Sequence, residues 1–163
     1  MLAEIALRTW TPDDAGWYVR QIADPEIRRF TTEPATLTVE DFRKALDRLN
    51  SSDDELGWVA VDPLSGERLA NVAAVRNGDT AIVSYWVTPH ARGKDVATQA
   101  LDELCARALT IWPITEFRLY THADNLASQR VAEKAGFHRM DGMPTQREVY
   151  GQKWPVRWFE RLR

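Results

Sequence analysis

The hydrophobic residues of this chain recur with two spacings, and segments of each kind alternate along the sequence. Apolar residues at every second position predict strands, whereas apolar residues three and four positions apart predict helices. Strands are predicted over residues 5–10, 56–61, 68–75, 80–87, 116–121, 137–140, 145–150 and 154–162. Helices are predicted over residues 15–22, 26–30, 38–49, 95–109 and 125–134. The mixture predicts an α/β protein.

Cap and turn residues mark the limits of several of these elements. Thr11 followed by a proline is typical of a helix start, and a second cap at Thr38 precedes the next amphipathic helix. Asn77-Gly78-Asp79 predicts a tight turn between two strands, and Gly136 suits the left-handed residue that ends a helix. Residues 151–153 are predicted to form the turn before the last strand.

Length and composition limit the class of protein. The 163 residues contain no repeat, linker or low-complexity segment, so a single domain over residues 1–163 is predicted. A net charge of −3, with the basic residues spread out, argues against nucleic acid as the main partner. One cysteine excludes an internal disulfide, and no apolar run is long enough to span a membrane. The N-terminus lacks a secretion signal, and a cytoplasmic protein without a membrane partner is expected.

A candidate anion site lies between the fourth predicted strand and the helix that follows it. The strand ends at Val87, Pro89 interrupts it, and Arg92-Gly93-Lys94 forms a basic turn directly before the helix. Such a turn can direct backbone N–H groups and the positive end of a helix at a phosphate. The same pattern also fits an ordinary strand-to-helix connection in which glycine relieves a tight turn, and the turn alone leaves both interpretations open.

Two motifs in this order resemble those of the GNAT acetyltransferase superfamily. Its pattern V-x-P-x-x-R-G-x-G-x-A is matched at Val87, Pro89, Arg92, Gly93 and Ala97, and its second glycine is replaced by aspartate. Residues 125–137 read N-L-A-S-Q-R-V-A-E-K-A-G-F, which is similar to the N-x-x-S-x-x-V-x-E-K-x-G-F motif of the ribosomal-protein N-acetyltransferase branch. The resemblance extends from residue 5 to the C-terminus.

The resemblance implies a fold and a cofactor site. The fold is a mixed, mostly antiparallel sheet that splays at the fourth strand and is flanked by helices. Acetyl-CoA is the expected co-substrate, with its pantetheine arm along the fourth strand and its pyrophosphate on the basic turn. No metal is expected. The residues that the resemblance assigns to the cofactor are Trp86, Val87, Arg92, Gly93, Lys94, Asp95, Val96, Ala97, Asn125 and Ser128.

Asp95 leaves two interpretations of this site open. A carboxylate near a pyrophosphate repels it at a cost of about 1 kcal/mol when both groups stay solvated. The side chain can turn away toward solvent or Lys94 while its N–H still serves the phosphate. Alternatively, the site is weakened or lost.

Catalytic residues are less clearly marked. The tyrosine that many relatives place seven residues after the motif asparagine is Ala132 here, so Ser128 or a water that it holds is the expected proton donor to the thiolate. A general base is predicted at Glu148 or His122, since the fourth strand carries no glutamate; water is the third alternative. The single Cys105 lies on an apolar helix face and is predicted to be a core thiol.

Aromatic and basic residues near the N-terminus are candidates for the amine acceptor site. Trp17, Tyr18 and Phe30 fall in helices that overhang the acceptor in the superfamily. Arg28 and Arg29 beside them suit an acceptor with an acidic group. The predicted acceptor-binding residues are Trp17, Tyr18, Arg29 and Phe30.

The sequence therefore predicts an acetyl-CoA-dependent N-acetyltransferase that moves an acetyl group directly to a primary amine. The acceptor is a peptide or protein N-terminus or a small-molecule amine. A non-catalytic acyl-CoA-binding module of the same fold is the alternative, and a longer acyl chain is a further one. A homodimer through Trp154, Trp158 and Phe159 of the C-terminal strands is a further expectation.

Overall fold

The computed structural model describes residues 4–163 as eight strands and five helices. The strands are β1 (Ala6–Arg8), β2 (Glu55–Val61), β3 (Arg68–Asn77), β4 (Thr80–Val87), β5 (Glu116–His122), β6 (His138–Arg139), β7 (Gln146–Val149) and β8 (Gln152–Leu162). The helices are α1 (Ala15–Gln21), α2 (Pro25–Phe30), α3 (Val39–Ser51), α4 (Val96–Ile111) and α5 (Leu126–Lys134). Short 3-10 turns at Pro12–Asp14 and Pro89–Ala91 precede α1 and α4.

One sheet organises the chain, in the order β1-β2-β3-β4-β5-β8-β6, and β7 pairs with the free part of β8. All neighbours are antiparallel except β4 and β5, which run parallel. That parallel pairing covers only Thr80–Ile82 with Glu116–Arg118, after which the two strands separate. The predicted fold, a mixed and mostly antiparallel sheet that splays at the fourth strand, is confirmed.

The predicted elements are all present, and the differences lie at their ends. The turn predicted over residues 151–153 is wrong, because β8 begins at Gln152 and pairs with Val149. Only Tyr150 and Gly151 connect the strands, with φ of 48° and 77°. Positive φ at both positions matches the right-handed twist of a two-residue hairpin, which is why so short a turn suffices.

The main core lies between α4 and the face of the sheet that α4 covers. Seven residues of α4 are buried, including Leu101, Leu104 and Cys105. Burial raises the pKa of the Cys105 thiol to about 12, so it stays neutral as a core group, in agreement with the prediction. In residues 4–163 we find no helix of the length and apolarity that crossing a bilayer requires.

The aromatic side chains of β8 pack within the chain itself. Phe159 and Trp158 are 1% and 9% exposed, and Trp154 faces an internal cavity. These side chains therefore offer little surface to a second copy. The homodimer stays a prediction without the aromatic interface on which it was based.

A buried ion cluster joins the N-terminal segment to the sheet. Asp14 is fully buried and accepts two hydrogen bonds from the Arg8 guanidinium, both 3.0 Å long. Arg68 Nε at the start of β3 donates a third, at 2.6 Å, and the Thr11 N–H donates a fourth, at 2.8 Å. Burial alone would raise the pKa of Asp14, but these four donors outweigh it and lower the pKa to about 2.

Candidate active site

A cavity of about 1010 Å³ opens where β4 and β5 diverge. It is lined by the parts of β4 and β5 that do not pair with each other, by the turn between β4 and α4, and by one face of α5. Alternate residues of β4 face opposite sides of the sheet, so the cavity has two parts. The side with Tyr85 and Val87 faces α4 and α5, and the side with Trp86 faces α2 and the loop after it.

The separation of the strands exposes backbone groups of β4. The Thr88 N–H donates to Leu69 O on β3 at 2.9 Å. Because backbone groups alternate along an extended chain, the N–H and C=O of Val87 and Tyr85 point to the opposite edge, from which β5 has departed. An extended ligand can pair with that edge as an added strand.

The basic turn closes one end of the cavity. Gly93 has a φ of 73° with open space around it, so the backbone conformation requires glycine here. The Arg92 guanidinium donates to Asp24 at 2.7 Å and lies 2.9 Å from a Glu26 oxygen. These contacts fix the arginine side chain at the α1–α2 corner, with its charge shared between two carboxylates.

Asp95 is accommodated through a partner on α5. Its backbone is left-handed, with a φ of 64°, which aspartate tolerates better than most residues. Its carboxylate accepts a hydrogen bond of 2.7 Å from Lys134 Nζ. This bond, more than any other contact, lowers the pKa of Asp95. The side chain thus turns to Lys134 and not to Lys94, and the Asp95 charge that would oppose a phosphate is paired.

The start of α5 carries the two polar residues of the second motif. Asn125 caps the helix by accepting the Ser128 N–H at 3.1 Å. The Ser128 hydroxyl donates to the Tyr85 hydroxyl at 2.9 Å, and that hydroxyl donates to the Ser128 carbonyl, also at 2.9 Å. Tyr85 therefore connects the exposed edge of β4 to α5. Ala132, where relatives carry tyrosine, is fully buried.

The Tyr85 hydroxyl is a weak acid. Burial raises its pKa to about 12, although the hydrogen bond from Ser128 works in the opposite direction. A thiol of pKa about 8.5 lies more than three units below this value. A proton transfer from Tyr85 to a thiolate is therefore unfavourable by a factor of about a thousand or more. Both hydroxyl protons of the pair are donated within the chain, so Ser128 stabilises a thiolate only when its hydroxyl turns away from Tyr85.

Glu33, in the loop after α2, is the carboxylate on the other side of the cavity. Its Oε1 accepts hydrogen bonds from the Tyr18 hydroxyl and from Trp86 Nε1, the latter at 3.1 Å. Burial, and then the charge of Glu33, raise the pKa of Tyr18 above its usual value, so its hydroxyl remains a donor. Oε2 accepts no hydrogen bond from the described residues and lies in a side chain that lines the cavity.

Aromatic side chains form a floor in the same cavity as Glu33. The His122 ring lies 5.4 Å from the rings of both Phe30 and Trp154, measured between centroids. The Arg147 guanidinium lies 4.5 Å above the Tyr120 ring. All five side chains line the cavity. The floor is apolar in the middle and has one cation at its β7 end.

Thr121 provides a further polar group on β5. Its side chain is 5% exposed and its Oγ1 has no hydrogen-bond partner among the described residues. It lines the cavity. A buried hydroxyl without a partner costs about 1–3 kcal/mol, which a ligand that bonds to it would recover.

The cavity brings most of the predicted site residues together. It is lined by Phe30, Trp86, Val87, Arg92, Gly93, Lys94, Asp95, Val96, Ala97, His122, Asn125 and Ser128. Four others lie outside its lining. Tyr18 and Trp17 pack behind Trp86, while Arg29 pairs with Asp124 at 3.6 Å. Glu148 is exposed, on the face of β7 opposite to Arg147.

Sequence reasoning missed several residues of the cavity: Glu33, Asn71, Tyr85, Thr121, Arg130, Lys134 and Arg147. Alternation along β4 could have found Tyr85, because it shares the side of Val87. Nothing in the irregular segment around Glu33 marks it as functional, since its partners are 15 and 53 residues away.

The sequence matches the family model described as the acetyltransferase (GNAT) domain over residues 4–138. A search of curated proteins found no match. Three solved structures illustrate the fold similarity. Spermidine N-acetyltransferase from Vibrio cholerae, in complex with CoA and spermine, has a TM-score of 0.84 at 16% identity, covering 97% of this chain and 95% of that one.

The other two structures have similar TM-scores and sequence identities. An acetyltransferase of Salmonella typhimurium that modifies the N-terminal serine of a 50S ribosomal subunit protein has a TM-score of 0.82 at 16% identity, covering 97% and 94% of the chains. A microcin self-immunity acetyltransferase in complex with acetyl-CoA and AMP has a TM-score of 0.83 at 18% identity, covering 98% and 92%. At these identities the similarity is one of fold.

Proposed function

The chain belongs to the GNAT acetyltransferase family, and from this we propose that it transfers the acetyl group of acetyl-CoA directly to a primary amine. The observation that carries the proposal is the divergence of β4 from β5, which places the basic turn, the exposed β4 edge and Ser128 around one cavity. Acceptors named for relatives, spermidine and an N-terminal serine, are both primary amines.

The cofactor half of the cavity fits acetyl-CoA. The backbone of Tyr85 and Val87 suits the amides of the pantetheine arm, and the start of α4 suits the pyrophosphate. Lys94 forms no ion pair with the described residues, so its charge is available to a phosphate. Arg130 of α5 adds a further cation to the cavity lining, whereas the charge of Lys134 is paired with Asp95.

The chain supplies three effects to acetyl transfer. It holds the amine against the thioester carbonyl, so the two reactants react within one complex and need not meet by diffusion. A backbone N–H at Val87 stabilises the oxyanion that develops when the amine attacks. As the C–S bond breaks, its electron pair leaves on sulfur, and the Ser128 hydroxyl can turn from Tyr85 to donate to the thiolate. The amine nitrogen releases one proton to water, and the thiolate takes one up from water to leave as CoA thiol.

The amine must lose a proton before it attacks. A primary alkyl amine with a pKa like that of lysine, about 10.4, is neutral in about one molecule in 2,500 at pH 7. Glu33 is the base that we propose, a choice supported by two donors that anchor Oε1 and leave Oε2 for the amine. His122, which lines the same side, is the alternative base.

The proposal is tested by calorimetric titration with acetyl-CoA and by a thiol-release assay with a panel of primary amines. Micromolar binding of acetyl-CoA together with amine-dependent release of CoA would support it. Binding without turnover on any amine would instead indicate a non-catalytic acyl-CoA-binding module. Absence of binding would contradict the assignment of the cofactor half.

Substitution of Thr121 tests the cofactor half of the cavity more directly, because the chain contains a matched control residue. Thr121→Val should raise the free energy of unfolding by about 1 kcal/mol, since an unpaired buried hydroxyl is removed. It should also weaken acetyl-CoA binding about fivefold to tenfold, through the loss of one hydrogen bond. Urea unfolding and calorimetry measure the two effects.

Thr88 is the control for this experiment. Its Oγ1 is likewise buried without a hydrogen-bond partner in residues 4–163, but Thr88 does not line the cavity. Thr88→Val should therefore give the same gain in stability with no change in acetyl-CoA affinity. Equal affinities for the two variants would show that Thr121 does not contact the cofactor.

A further inference from the structure

Half of the eight aspartate, glutamate, lysine and arginine side chains that line the cavity form ion pairs with one another. Among those that line it, Arg92 contacts Glu26 at 2.9 Å, and Asp95 accepts from Lys134 at 2.7 Å. On the side of Trp86, the charged groups without an ion pair among the described residues are Glu33 and Arg147. That side therefore presents one anion and one cation to an acceptor.

Arg147 is held where it can receive an anion. Its guanidinium lies 4.5 Å above the Tyr120 ring, and its partner across the hairpin is Trp154. Stacking on a ring leaves the edge of the guanidinium free to bond a carboxylate in a bidentate way. The other arginine expected near the acceptor, Arg29, is taken up by Asp124 and by the Phe30 ring.

Glu33 supplies the negative charge in the same cavity. Glu33 is anchored through Oε1, and its second oxygen suits an ammonium or amine. The rings of Phe30, His122 and Trp154 line the same cavity, so an acceptor that reaches from Glu33 to Arg147 meets apolar surface in its middle. A polyamine would need a second carboxylate where this cavity presents Arg147, and like charges there are repulsive.

We infer that the acceptor is a small amino acid: a primary amine and a carboxylate joined by an apolar body. The amine binds at Glu33, the body lies on the aromatic floor, and the carboxylate binds Arg147. This inference rests on the proposed acetyl transfer and specifies its substrate class. It makes Arg147 the residue that determines acceptor specificity.

Three matched amines test the inference: 4-(aminomethyl)benzoate, benzylamine and 1,4-bis(aminomethyl)benzene. Each has a reactive aminomethyl group on one ring, and opposite it a negative charge, no charge or a positive charge. The kcat/KM of the third is halved for comparison, because its two aminomethyl groups are equivalent. The expected order of kcat/KM is carboxylate, then neutral, then dication, with about tenfold between the first two. In Arg147→Gln, the ratio between the first two should fall to near one, and Arg147→Glu should place the dication first.

Lys153→Gln is the control, since it removes a positive charge from the same hairpin on the face outside the cavity. It should leave the order and the ratios unchanged. Acetylation of all three amines at similar kcat/KM, or the same ratios in Arg147→Gln as in the natural protein, would overturn this inference alone. Acetyl-CoA binding without acetylation of any amine would overturn the proposed function and this inference with it.

Discussion

Asp14→Asn should lower the free energy of unfolding by about 3 kcal/mol at pH 7, a large loss for a substitution that hardly changes the shape of the side chain. The carboxylate is fully buried and bonded to Arg8, Arg68 and the Thr11 N–H. Asparagine keeps the shape, but its amide nitrogen presents a donor to groups that are themselves donors. Urea unfolding measures the loss.

The pH dependence of the free energy of unfolding distinguishes the contribution of the Asp14 charge from that of side-chain packing. The pKa of Asp14 is about 2 in the folded protein, against an ordinary value of 3.8. The folded state therefore holds this group ionised more strongly, which contributes about 2.5 kcal/mol above pH 4 that is lost as the pH falls toward 2. Asp14→Asn lacks this contribution, so the difference between the two proteins should shrink to under about 1 kcal/mol at pH 2.

Asp13→Asn is the matched control for this prediction. Asp13 is adjacent and exposed, and it forms no ion pair with the described residues. Its substitution should change the free energy of unfolding by less than about 0.5 kcal/mol. A difference between Asp14→Asn and the natural protein that stays constant from pH 7 to 2 would contradict the role of the charge.

The Asp14 cluster shows why some of the structure could not be predicted from the sequence. Local patterns found the strands and the helices, because each depends on residues within one or two turns. The partners of Asp14 include Arg68, 54 positions away, and no local pattern connects the two. Such pairs depend on the register of distant strands.

The hairpin of β7 and β8 shows a second limit. The sequence directed attention to β7 through Glu148, and the structure places the neighbouring Arg147 in the cavity lining. Side chains alternate along a strand, so a difference of one residue moves a group to the opposite face. The connection of only two residues, Tyr150 and Gly151, sets that register, and the predicted turn of residues 151–153 did not allow for it.

Glu33→Gln should lower kcat/KM for amine acetylation about a hundredfold at pH 7, the largest effect on activity that we expect. General base catalysis contributes about 10² to 10⁴ in rate, and glutamine retains an oxygen for Tyr18 and Trp86 while it cannot take a proton. Acetyl-CoA affinity should stay within twofold, because Glu33 lies on the other side of β4 from Tyr85 and Val87.

The pH profile distinguishes a base from a merely structural residue. Each pH unit below the pKa of the amine lowers its neutral fraction tenfold, so solvent supplies more neutral amine as the pH rises. Activity of Glu33→Gln should therefore recover toward that of the natural protein between pH 7 and 10, whereas a variant with a distorted site would stay low throughout.

Glu148→Gln serves as the control, since Glu148 is exposed outside the cavity lining, and it should change kcat/KM by less than twofold. A hundredfold loss in Glu148→Gln with Glu33→Gln unaffected would assign the base to β7, and a loss confined to His122→Gln would assign it to β5.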